Sequence, residues 1–239
     1  MVWTLVCLYA LTAILLHIPA IQHWAGSEVA NALGTKLGTV VKIDRVDLGF
    51  PGRVVIDGVT LLDQKNKPLL RATRLSVSAE IMPLLEGRIS ISSAQLFCVK
   101  AQLYKENAQA KPNFQFIVDS LASKDTTSQK TPLDLHIHSL IMRGGSVSYD
   151  QYDVAPTQGR FNAAHLSVSD ISAHLILNCL TPDSLNLNCK RLSLAEQAGL
   201  HLKALSFHLV AGKRGATLTD FHLELPHTQL VIPQLAVSY

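Results

Sequence analysis

The chain's ten histidines are its best-equipped residues for metal or proton chemistry. His136 and His138 stand two apart, so on a strand they share a face and could converge on an ion. Zinc chemistry asks for a third placed ligand and, for catalysis, an open position. His165, His174, His201, His208, His222 and His227 fall mainly at polar positions of other strand-like segments, and their spacing supplies neither. Asp44, Asp47, Asp57 and Asp63 could pair with Arg45 or Arg53, but carboxylates so placed read as a solvated face. No G-x-S-x-G nucleophile motif occurs, and Gly49-Phe50-Pro51-Gly52 and Arg143-Gly144-Gly145-Ser146 read as turns rather than phosphate cradles. Cys7 lies in an apolar leader and Cys98 stands alone. Cys179 and Cys189 fit neither a zinc knuckle nor a redox pair. They are open to two readings, a disulfide in an oxidising compartment or two small buried hydrophobes. No catalytic, cofactor-binding or metal residue is therefore expected, and the chain is expected not to be an enzyme.

Composition narrows the class. Hydrophobic residues make up 48% of the 239 and charged residues 16%, below the usual quarter for soluble domains. Aromatics are 6%, so the apolar content is aliphatic, which argues against disorder and against an aromatic ligand pocket. The net charge of +3 is scattered, without the concentrated basic footprint of a nucleic-acid binder. No nucleic-acid partner is expected.

The elements that must position any site begin with residues 1–21, MVWTLVCLYALTAILLHIPAI, which hold no Asp, Glu, Lys or Arg. About twenty apolar residues at 1.5 Å rise cross a hydrocarbon core of roughly 30 Å, and Trp24 follows where a headgroup-level aromatic belongs. A cleaved signal peptide would want a basic start and a shorter apolar run. Ala25-Gly26-Ser27 offers only a weak cleavage site, so the segment reads as an uncleaved transmembrane anchor. Ser27 as N-cap and Glu28 in the first turn predict a short helix over 27–37, within a juxtamembrane stretch 22–38.

Beyond it, alternation dominates. Leu75, Val77, Ala79 and Ile81 interleave with polar residues, as do Ile89 and Ile91, and Val99, Ala101 and Leu103. The pattern returns in Leu133-Asp134-Leu135-His136-Ile137, Val147 and Tyr149, Leu185 and Leu187, 205–209, 221–225 and 235–239. Each predicts a half-buried strand with one aliphatic face. Turn signals at Pro51-Gly52, Asp57-Gly58, Asn66-Lys67-Pro68, Gly144-Gly145, Thr181-Pro182-Asp183 and 212–215 punctuate them. The expected fold is mainly β, an antiparallel meander with one or two short helices. A polar segment, 105–132, with Phe114, Phe116, Ile117 and Leu121 set to make one helix, separates a β unit at 39–104 from a second at 133–239. An aliphatic face must be buried, either in a closed sandwich or as an open groove for acyl chains, and periodicity does not choose between them.

One ordered set of motifs bears on that choice. The anchor and SEVANALGTKLG are followed by Ile43, Val46 and Leu48, then Gly58, Val59, Leu61 and Asp63. Leu69, Leu70, Ala72, Leu75 and Val77 come next, then Leu84, Leu85, Gly87 and Ile89. This order resembles the N-terminal region of the AsmA/TamB family of envelope proteins. LDLHIHSLIMRGGSVSYDQ, RFNAAHLSVSDISAHL and LSLAEQAGLHLKALSF are similar to its Bacteroidetes-type members. The resemblance implies a single-pass inner-membrane anchor with the bulk in the periplasm and a sheet curved into an elongated hydrophobic groove. It also implies phospholipid movement between envelope membranes or outer-membrane protein assembly, with membrane lipids and an outer-membrane assembly component as partners. It brings no catalytic residue and no cofactor. Leu135, Ile137, Leu187, Phe207, Leu223 and Leu225 are then the expected lipid-facing positions. The strand pattern stops in mid-course at Tyr239, so the second β unit is expected to be incomplete.

Overall fold

Pro19 and Gly38 bracket the first helix, α1 (Pro19–Leu37). Proline's fixed φ and missing N–H suit the first helical position. Gly38 closes the helix in the left-handed region, φ 65°, its N–H donating to the Gly34 carbonyl. The predicted start at Ser27 is thus two turns late. Ser27 lies inside the helix and its hydroxyl donates to the His23 carbonyl at 3.1 Å, because Pro19 already supplies a start that needs no side-chain cap. The computed structural model describes residues 3, 4, 7, 18–49, 52–79, 89–122, 133–134, 138–157, 159–181 and 184–238. Most of the expected anchor, 1–21, lies outside them, as do Leu84, Leu85 and Gly87. Among the described residues no helix is long and apolar enough to cross a membrane.

Thirteen strands follow: β1 (Val41–Lys42), β2 (Arg45–Gly49), β3 (Arg53–Leu62), β4 (Pro68–Ala79), β5 (Ile89–Phe97), β6 (Lys100–Lys105), β7 (Leu133–Asp134), β8 (Ser139–Gln151), β9 (His165–Thr181), β10 (Ser184–Glu196), β11 (His201–Gly212), β12 (Gly215–Leu225) and β13 (Thr228–Ser238). A second helix, α2 (Gln115–Ala122), falls in the polar segment between β6 and β7. The described strands form one 13-stranded sheet whose main path runs β1-β3-β4-β5-β8-β9-β10-β11-β12-β13. From β8 onward it is an antiparallel meander. The middle departs from the all-antiparallel expectation. β5 and β6 both pair with β8 in parallel, and β5 pairs with β7 in parallel. The reason is the long connection through α2, which returns the chain to the same end of the sheet, as parallel neighbours require.

Asp57-Gly58 and Gly144-Gly145, expected as turns, lie inside β3 and β8. Register explains why. The pairs Asp57↔Arg74 and Val59↔Ala72 set Gly58 opposite Thr73. Arg74↔Phe97 and Arg71↔Lys100 set Thr73 opposite Cys98. Phe97↔Arg143 and Lys100↔Ser146 set Cys98 opposite Gly144. Gly58, Cys98 and Gly144 hold φ 66°, 49° and 67°, and one such residue reverses a strand's alternation as a bulge does. Val54 and Ile56 precede Gly58, Val59 and Leu61 follow it, and both pairs stay on one face despite the change of parity. The same holds for Ala94 and Leu96 against Val99 and Ala101, and for Leu140 and Met142 against Val147 and Tyr149. Glycine is the residue for such a backbone.

The packed core sits at the N-terminal end of the sheet. Ala30 of α1 meets Ile43, Val46, Val59, Ala72 and Val99, with Ala25, Val29, Val54, Ile56, Leu75 and Leu96 against them. Small residues Gly26 and Ala30 let the helix lie close on β1 and β2. Gly58 has a second constraint, since a Cβ there would fall 1.7 Å from the Asp44 carboxylate. Gly58→Ala is therefore expected to cost more than the roughly 1–3 kcal/mol of a strained φ alone. Gly159→Ala, at φ 65° in open space, reports the strain without the clash. Urea midpoints of the two variants check this, with Gly58→Ala showing the larger fall.

Candidate functional site

Directly paired residues of neighbouring strands share a face, so register shows what each face carries. One row runs Val46–Ile56–Leu75–Leu96–Met142–Ala173–Leu192–Leu205–Leu223–Leu230. It crosses ten strands and every member is apolar. A second row, Leu177–Leu187–Leu209–Leu218–Leu235, lies beside it on β9 to β13, and Cys189 pairs with Leu175 and Phe207 between the two. In β12 the alternation reverses at Asp220, φ 53°, so Leu218 and Phe221 keep the same face. Asp220 stands opposite Pro233, between the pairs Thr219↔Gln234 and Phe221↔Ile232.

The two ends of this face differ. At the β1–β2 end it is roofed by α1, whose Ala30 shares one buried cluster with Val46, Val59, Ala72 and Val99. Over β9 to β13 each strand packs against its sheet neighbours, and among the described residues neither a helix nor a second sheet lies on it. Its residues there are half-buried, and on β13 Leu230 and Leu235 are 44% and 53% exposed. Leu187, Phe207, Leu223 and Leu225, expected to face lipid, all lie on this open part. Leu135 and Ile137 lie outside the described residues. Leu205, part of the alternating segment 205–209, joins the row, and Met142, Ala173, Leu192 and Leu230 complete it; these four were not singled out from sequence, because only the pairing register reveals them.

The polar clusters are built differently. Asp63 closes the β3–β4 turn, its Oδ1 accepting from the Lys65 and Lys67 backbone N–H groups at 2.8 Å each, its Oδ2 from the Tyr104 hydroxyl at 2.7 Å. Burial pushes this carboxyl up, but these donors with Asn113 outweigh it and hold it below the usual carboxylate range. The Tyr104 hydroxyl is pushed up by burial and by its bond to Asp63, and its ring stacks on Tyr152. Three hydrogen bonds occupy most of the carboxylate's roughly four acceptor sites, which makes the cluster a lock on the turn. On the outer face Asp57 sits between Arg74 and Arg45, at 2.6 and 2.8 Å. The Arg74 hydrogen bond is the first cause of its lowered pKa.

The histidines disperse. His165 Nδ1 meets Asp150 Oδ1 at 2.9 Å and Nε2 meets the Val154 carbonyl at 2.7 Å. His208 bonds Asn186, and His222 bonds Gln229. His136 lies outside the described residues, His138 is exposed, and among the described residues no three His, Cys, Asp or Glu gather to hold a metal. Cys179 and Cys189 are both free thiols. Cys179 is paired with Asn186 and Cys189 with Leu175, and burial pushes the Cys189 thiol up. The chain matches no protein-family model and no curated protein sequence.

Two measurements test these locks. Tyr104→Phe leaves Asp63 short of one donor while keeping the ring, and is expected to cost about 1–3 kcal/mol. Because Asp63 is depressed in the folded chain, its contribution is present above the ordinary value of 3.8 and fades as pH falls through the lower folded value. The acid limb of the unfolding curve should therefore flatten in Asp63→Asn. His165 behaves oppositely. Both its partners only accept, so the doubly protonated ring satisfies both, and the Asp150 bond followed by the Val154 carbonyl raises its pKa. Its contribution is full below about pH 6.5 and vanishes as pH rises through the raised folded value. Proteolysis of the 152–164 loop is expected to quicken over that window, and His165→Gln should abolish the dependence.

Proposed function

We propose that the open apolar face binds lipid acyl chains. On this reading the chain is a non-enzymatic lipid-handling module of the cell envelope. What supports it is the unbroken aliphatic row from Met142 to Leu230, which is unroofed from β9 onward. Exposed contiguous apolar surface of this kind marks a membrane, lipid or protein partner. Five strand spacings of about 4.8 Å span some 24 Å, longer than the roughly 15 Å that half a bilayer core allots to one acyl chain. Each methylene withdrawn from water onto the face contributes about 0.8 kcal/mol.

The resemblance to the AsmA/TamB family gives this reading its setting. Residues 1–21 would anchor the chain in the inner membrane, the sheet would curve into a groove in the periplasm, and phospholipid would pass along it toward the outer membrane. A second reading rests on β13, whose outer edge has no partner strand among the described residues and whose Val231 and Val237 are 61% and 54% exposed. Such an edge pairs with an added strand, here from an outer-membrane assembly component.

Photo-crosslinking residues at Leu187, Leu205 and Leu223 are expected to capture phospholipid in cells, while the same residue at His208 and His222 on the opposite face is not. Equal yields on both faces would overturn the lipid reading. Protein adducts confined to Val231 and Val237, with no lipid at the three leucines, would replace it with the strand-addition reading. Leu205→Asp is expected to abolish co-purified phospholipid while far-UV circular dichroism stays unchanged.

A further inference from the structure

The face opposite the aliphatic rows carries a depression of about 480 Å³ over β8, β9 and β10. Its polar lining is Arg143, Ser172, His174, Arg191 and Ser193. Register brings these together: Ile141 pairs with His174 and His174 with Arg191, while Ser172 pairs with Ser193. Arg143 lies two residues along β8 from Ile141, on the same face. β8 and β10 flank β9 and Arg143 is offset by two residues from the line of Arg191, so the two arginines project from backbone positions about 12 Å apart, with His174, Ser172 and Ser193 between them.

The charge here is one-sided. Elsewhere on this face Arg45 and Arg74 are engaged by Asp57 and Arg53 by Ser76 and Gln95, while Arg71 on β4 is unpaired among the described residues but lies outside the depression. No carboxylate lines the depression. Neither the Arg143 nor the Arg191 side chain makes an ion pair or hydrogen bond with a described residue. Arg143 faces Phe97 on β5, and Arg191 is flanked on β11 by Ser206, between the pairs Cys189↔Phe207 and Leu192↔Leu205. Two unpaired guanidinium forks beside hydroxyl donors form a donor set suited to a tetrahedral oxyanion, which Arg recognises in bidentate fashion.

We infer that this depression is a binding site for a phosphoryl oxyanion, held between Arg143 and Arg191 and oriented by Ser172, Ser193 and His174. It lies on the opposite side of the sheet from the aliphatic rows and stands independently of their role. The anion is a free phosphate or the phosphodiester of a lipid headgroup, since both present the same oxygens.

The test is calorimetric titration of the full chain in non-ionic detergent at constant ionic strength, with inorganic phosphate in one arm and dihexanoyl phosphatidylglycerol below its micelle concentration in the other. Saturable binding in either arm that weakens roughly tenfold or more in R143Q/R191Q, and is retained in R71Q, is the expected result. Binding in the phosphate arm identifies a free-anion site, and binding in the lipid arm alone identifies a headgroup site. All substituted side chains are exposed, and matching circular dichroism spectra confirm that the fold is kept. Absence of saturable binding in both arms overturns the inference. So does lipid binding unchanged in R143Q/R191Q, which would place the ligand on the aliphatic face instead.

Discussion

Everything the sheet presents to its surroundings depends on one backbone constraint, the shared line at which neighbouring strands reverse their alternation. Side chains in a strand alternate with a period of two, so a shift of one residue exchanges the faces. Gly58, Cys98 and Gly144, with Thr73 in register between the first two, take the reversal together. The aliphatic residues on either side of the line therefore stay on one face. A reversal in one strand alone would set its aliphatic residues among the charges of its neighbours. Cys98 holds its positive φ without glycine's freedom, and the strain is borne because β4 and β8 fix the strand on both sides.

With that face continuous, its two ends meet different fates. α1 lies on the first part through small residues, and the core there closes around Ala30, Val46 and Ala72. The Asp63 lock and the Tyr104–Tyr152 stack tie the β3–β4 turn to β6 and the end of β8. This end is therefore dense and polar-locked. The other end is held mainly by the ladder hydrogen bonds and cross-strand pairs of a meander. Its aliphatic residues touch one another side by side and have nothing above them among the described residues.

Much of this was legible in sequence. Alternation located segments of most described strands from Leu75 onward, though not β9 (His165–Thr181), and the aliphatic, aromatic-poor composition argued against disorder and an aromatic pocket. Leu187, Phe207, Leu223 and Leu225 share the face that their period predicted. Three features were not legible. Asp57-Gly58 and Gly144-Gly145 look like turns because a turn and a mid-strand reversal ask the same positive φ of the same residue, and only pairing tells them apart. The parallel join of β5 and β6 to β8 depends on where a long connection delivers the chain, which has no local signature. The start of α1 was misread at Ser27 because a hydroxyl that caps one helix also bonds back to a carbonyl inside another.

The chemistry of the open face constrains what it can select. Its rows are almost wholly Leu, Val, Ile, Ala and Met, with Phe207 and Phe221 the exceptions, and they offer no buried hydrogen-bond donor to orient a ligand. Dispersion and hydrophobic transfer are non-directional, so such a surface tells alkyl from polar but scarcely one alkyl chain from another. On the proposed lipid reading, discrimination between headgroups would come from polar groups elsewhere on the sheet. The outer face gathers such groups over β8, β9 and β10, where Arg143 and Arg191 lack carboxylate partners among the described residues, whereas over β2 to β4 Arg45, Arg53 and Arg74 are already engaged. On that reading, a sheet that is apolar on one side and charged on the other would separate affinity from recognition. The strand reversals make that separation possible, since without them neither face would have a single character.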